Sequence, residues 1–167
     1  MLNDAYNLQA WALVFRETIN MKIKQLSLFL ENKPGHLSSA CQTLADAGVN
    51  ILTLSMADTQ QFGILRIIVR DWEKAKAALE GAGIVVNITE VLAIEIQDRP
   101  GGLAAVLKIV EQAGINVEYM YAFTYRCHEE GGVLVFRFPD PDQAVRGLTA
   151  AGVNVIGGGA LFDRAES

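Results

Sequence analysis

From residue 26 the chain alternates: Leu26, Leu28 and Leu30 are separated by Ser27, Phe29 and Glu31, the period of a strand with one buried face. The period changes after Pro34-Gly35. Leu37, Ala40, Cys41 and Leu44 fall at i, i+3, i+4 and i+7, one face of a helix that Ala47-Gly48 should stop. Residues 50–58 and 64–69 predict two further strands. Trp72, Ala75, Leu79 and Ala82 predict a second helix, closed by Gly83, and residues 84–88 a last strand. The order is strand-helix-strand-strand-helix-strand.

The same order then recurs. Leu92, Ile94 and Ile96 alternate, Leu103, Val106, Leu107 and Val110 share a helical face, and residues 117–126 and 133–138 predict strands. Pro141, whose fixed φ suits a first helical turn, opens a helix carrying Ala144, Val145, Leu148 and Ala151. Pro34/Pro100, Gly35/Gly101, Leu37/Leu103, Gly48/Gly114 and Asn50/Asn116 match at an offset of 66. Gly63/Gly132, Leu65/Leu134, Ala75/Ala144, Leu79/Leu148 and Gly83/Gly152 match at 69, so three residues are inserted between. A loop, helix and strand kept twice mark a tandem duplication. The expected class is α+β, with two tandem ferredoxin-like βαββαβ domains over residues 21–89 and 90–167, each an antiparallel four-stranded sheet with two helices on one face. Residues 84–96 contain no proline or glycine, so one domain should run into the next without a linker, in a fixed relation.

Composition narrows the function. A net charge of -5 with 14 basic residues argues against a nucleic-acid partner, since phosphate neutralisation needs clustered Lys and Arg. No apolar run reaches the roughly 20 residues of a membrane helix. The two cysteines, Cys41 and Cys127, are unrelated in position, which predicts no disulfide and a reducing, cytoplasmic setting. Residues 1–20 stand outside the repeat. Ala5, Leu8, Ala12, Phe15 and Ile19 have helical spacing, so this segment is either a short amphipathic helix or an extension upstream of a natural start at Met21.

The two turns resemble the hallmark of the ACT family of small-molecule-sensing regulatory domains. They read Asn32-Lys33-Pro34-Gly35-His36-Leu37 and Asp98-Arg99-Pro100-Gly101-Gly102-Leu103, followed after a helix by Ala47-Gly48-Val49-Asn50-Ile51 and Ala113-Gly114-Ile115-Asn116-Val117. The resemblance covers residues 22 to about 163 and is closest to short proteins built only of tandem ACT domains. It implies a non-catalytic protein that binds an amino acid at a domain–domain interface, with Asn50 and Asn116 reaching the ligand from the neighbouring domain. Its alternative is a regulatory subunit of a separate biosynthetic enzyme, of the kind found in acetolactate synthase-like complexes, and the remote third reading is an enzyme in its own right. Serine-sensing members carry a histidine where this chain has Leu30 and Ile96, so an apolar amino acid is expected instead.

The chemistry of the turn agrees. Proline fixes it, glycine lets backbone approach a ligand, and the following helix start presents free N–H groups suited to a carboxylate. Asn32 and Asp98 would accept hydrogen bonds from an ammonium group, or else only cap their helices. The two sites need not be equivalent, because Asn32 is neutral and Asp98 anionic. The candidate ligand set is Asn32, Pro34, Gly35, His36, Leu37, Asn50, Asp98, Pro100, Gly101, Gly102, Leu103 and Asn116.

No nucleophile–base pair, phosphate loop or cofactor motif stands out. Cys127-His128 lacks a second ligand pair, so no metal is expected. Gly157-Gly158-Gly159 predicts a flexible break in the last strand, with no helix after it. Tyr119, Tyr121, Phe123 and Tyr125 alternate onto one face, whose counterparts in the first copy are Thr53, Ser55, Ala57 and Thr59. RNA-stacking platforms use other strands and a basic surface, so the row predicts either ordinary cross-strand packing or a partner-covered face, the latter with a homodimer joined through the second repeat.

Overall fold

The structure, a computed structural model, describes residues 20–58, 61–123 and 131–166. The proposed N-terminal helix, Thr59, Tyr125 and the pair Cys127-His128 lie outside the described residues. The chain divides into two compact units, Lys24–Glu90 and a second formed from Val91 onward together with the chain up to Ile23.

In the first unit, β1 (Lys22–Glu31, whose first two residues count with the second unit) is followed by α1 (His36–Asp46), β2 (Thr53–Asp58), β3 (Phe62–Ile68) and α2 (Trp72–Gly81). The long β4 (Val85–Gln97) begins here and continues into the second unit. The strand order is β2-β3-β1-β4, with β2/β3 and β3/β1 antiparallel. Lys24 reaches Glu90 at 2.7 Å and Gln25 reaches Thr89 at 3.1 Å, the crossing order of an antiparallel β1/β4 pair. Leu26, Leu28 and Leu30 pack against Ala40, Leu44, Ala75 and Leu79 of the helices, which is the core the alternation predicted. On the opposite face Gln25 is fully buried, and its amide donates to Ser27 and Thr89, which removes the cost of burying it.

The second unit repeats the plan with α3 (Gly102–Gln112), β5 (Tyr119–Ala122), β6 (Gly131–Arg137), α4 (Pro141–Ala150) and β7 (Val155–Ile156). Its strand order is β7-β4-β6-β5, with every pair antiparallel. Leu92, Ile94, Val106, Val110, Phe136, Phe138 and Leu148 form its core, with the Phe136 and Phe138 rings stacked at 5.7 Å. Asp71 and Asp140 cap α2 and α4 by accepting from the backbone N–H of Lys74 and Gln143. Pro141 opens α4, as its position predicted.

Two expectations are corrected. Residues Gly158–Glu166 form a helix, α5, where the glycine run predicted none. Glycine's poor propensity is overridden by packing: Leu161 is buried, and Gly158 lies within van der Waals reach of Ile23. The aromatic row is also less exposed than predicted. Tyr119 and Tyr121 are half-buried and Phe123 is only 5% exposed. By register Tyr121 stands opposite Val135, and Val135 opposite Ala93, so these residues share the face away from Leu92 and Ile94. Glu95 shares that face by alternation, and Arg164 of α5 comes within 4.0 Å of it. Through Arg164, α5 of the same chain therefore reaches this face at Glu95.

Candidate functional site

Both turns are built alike. The N–H groups of Lys33 and Arg99 donate to the carbonyls of Glu31 and Gln97, those of His36 and Gly102 to Lys33 and Arg99, and those of Ser39 and Ala105 to Gly35 and Gly101. Gly35 and Gly101 stand at the N-caps of α1 and α3 with φ of +94° and +88°, a left-handed conformation that glycine takes without a Cβ penalty. Neither helix receives a side-chain cap, so the reading of Asn32 and Asp98 as helix caps is not what the structure contains. Ser38 instead donates its hydroxyl to the Gly35 carbonyl at 3.0 Å.

In the first unit this turn borders a pocket of about 350 Å³, within the range of small-molecule sites. The turn side is Gly35, His36 and Ser39, the floor includes Leu30, and the far wall is the α2–β4 junction at residues 82–84. Leu30 is buried, Ile84 half-buried, and His36 and Ser39 are exposed. The start of α1, with its positive dipole end, thus faces the end of α2, the negative end of that helix's dipole, where the carbonyls of Ala78, Leu79 and Glu80 accept from Ala82, Gly83 and Ile84. An ammonium and a carboxylate on one small molecule would find opposite partial charges across this gap. Beside it, Glu31 is held below the usual carboxylate range, first by a hydrogen bond from Lys33 and by its charge, then weakly by His36.

The predicted ligand set is only partly gathered. Gly35 and His36 line the pocket; Asn32, Pro34 and Leu37 lie exposed on the same turn, with Leu37 42% exposed. Asn50 is exposed beyond the far end of α1, so an 11-residue helix separates it from Gly35 within the unit. In the second unit Asp98, Pro100 and Gly101 are exposed on the turn, Gly102 is buried, and Leu103 packs on the core. Asn116 is exposed past the end of α3. Ser39 and residues 82–84 were missed as pocket residues, whereas Leu30 had entered only as the position that lacks a histidine. The strand-helix order held the signal, because antiparallel helices bring the stop of α2 beside the start of α1. Among the described residues no three His, Cys, Asp or Glu gather as a metal site, and no described helix is long and apolar enough to cross a membrane.

An antiparallel sheet carrying two helices, written twice with a Pro-Gly turn opening the first helix of each copy, defines the class, and comparison agrees. Residues 21–159 match the ACT domain pair model, and the chain belongs to that family, a regulatory module. Protein BT0572 from Bacteroides thetaiotaomicron has 37% sequence identity and a TM-score of 0.79, over 85% of this chain and 96% of that one. The regulatory subunit of aspartate kinase from Thermus thermophilus has the same kind of fold at 18% identity and a TM-score of 0.56, over 79% and 94%. Aspartate kinase from Synechocystis follows at 23% identity and 0.54, over 82% of this chain and 26% of the larger enzyme. Among curated proteins no relative matches the chain.

Proposed function

We propose that the chain is a non-catalytic regulatory protein that binds a small, apolar amino acid at the Pro-Gly turns of two ferredoxin-like βαββαβ domains. The observation that carries this reading is the first-unit pocket, which sets the turn and helix start at Gly35-His36 against the end of α2. The remaining candidates, Asn32, Pro34, Leu37 and Asn50 with Asp98, Pro100, Gly101, Gly102, Leu103 and Asn116, complete the proposed set. The protein acts in the cytoplasm, without cofactor or metal, and as a homodimer. A thermal-shift screen of the full chain against the twenty amino acids tests it. A ligand that binds the folded state alone raises the melting temperature by mass action. A flat response to all twenty retires the reading.

A second reading makes the chain the regulatory subunit of a separate amino-acid biosynthetic enzyme. The aspartate kinase regulatory subunit of Thermus thermophilus favours it by name, although at 18% identity the likeness is one of fold. Co-purification of a catalytic chain with an affinity-tagged copy supports this reading, and a tagged copy that returns alone counts against it.

A further inference from the structure

The two turns share their hydrogen bonds but not their space. At Gly102 an added Cβ would stand 2.0 Å from the Gln97 carbonyl oxygen and 3.0 Å from its carbon, so the start of α3 is pressed onto the end of β4. Gly102 is buried, and its N–H reaches the Arg99 carbonyl at 2.9 Å. The matching residue of the first turn is His36, whose N–H contact is looser at 3.3 Å and whose side chain borders the pocket. The space that a side chain fills in the first turn is filled by backbone in the second.

Building on the proposed amino-acid binding, we propose that the two turns are unequal sites. The chain then takes one ligand with high affinity, in the Lys24–Glu90 unit, and His36 is the residue that determines this. The imidazole supplies a hydrogen-bond donor on the pocket wall that glycine lacks. Leu30 and Ile84 give the pocket an apolar floor and wall. The ligand class is therefore an α-amino acid whose side chain is apolar, held by its charged end near His36.

Calorimetry on the full chain with L-leucine, L-isoleucine, L-valine and the other proteinogenic amino acids tests this. The expected result is one site per chain, with affinity lowered at least tenfold in His36→Gly and largely kept in His36→Gln, which retains a donor. Amide chemical shifts of Ser39 and Gly83 should move on titration while those of Gly101 and Gly152 stay. Two equal sites per chain, an unchanged affinity in His36→Gly, or shifts confined to the second turn would each overturn the proposal while leaving amino-acid binding standing. No response to any of the twenty would instead overturn the functional reading on which it rests.

Discussion

A glycine costs nothing at positive φ, and the two turn glycines show what that is worth here. An added Cβ at Gly35 or Gly101 meets no atom within 4 Å, so a substitution there is opposed by backbone strain and not by a clash. We expect Gly35→Ala and Gly101→Ala each to lose about 1–2 kcal/mol of stability in urea unfolding, the usual cost of a left-handed non-glycine residue. Gly101→Val should lose more, since a branched side chain fits that region worse. Gly102→Ala fails for the other reason: its Cβ would meet the Gln97 carbonyl at 2.0 Å. Backbone must shift, and the expected loss is about 1–3 kcal/mol, in the range of overpacking. A Gly102→Ala protein as stable as wild type would mean that β4 and α3 separate more easily than their contact implies. The Pro-Gly pairs were legible in the chain because they recur at one offset. The contrast between His36 and Gly102 was not, because it depends on how closely the helix start approaches the end of the preceding strand.

Elements with an amphipathic period were legible to within a few residues. The helix expected over Leu37, Ala40, Cys41 and Leu44 is α1, and the stretch at 84–96 without proline or glycine is the single strand β4. β2 begins at Thr53, three residues later than the strand expected from Asn50, although the Leu52 N–H already donates to the Ile68 carbonyl at 3.0 Å. α5 was hidden for a physical reason: three glycines remove local helix preference, and what holds the helix is burial of Leu161, which only the tertiary structure supplies. Leu161→Ala should therefore be costly, about 2–5 kcal/mol, as for other buried leucines truncated to alanine. Chemical denaturation measures it. A loss under about 1 kcal/mol would mean that burial of Leu161 does little to hold α5 in place.

Duplication makes the whole molecule readable as two units, yet its surfaces do not follow from the repeat. Tyr119, Tyr121 and Phe123, which on sequence alone were a natural contact for another chain, are half-buried or buried. Phe123 at 5% exposure belongs to the interior, so replacing it would test folding and not assembly. Among the described residues the exposed large apolar side chains concentrate instead on the first unit. Leu54 is 52% and Met56 44% exposed on β2, the strand that ends its unit's order. Edge strands are commonly guarded by charged side chains, Pro or a bulge, and in the run Thr53–Asp58, TLSMAD, the one charge stands at its last residue. A second copy of β2, antiparallel about a two-fold axis, would pair its outer edge and bring the two Leu54 and Met56 pairs together. We expect the wild type to be a dimer by light scattering at micromolar concentration. Leu54→Lys/Met56→Lys, which places the missing guard on side chains already exposed, should give a monomer with an unchanged circular dichroism spectrum. A monomeric wild type would end the homodimer proposal, and a double variant that stays dimeric would move the contact off β2.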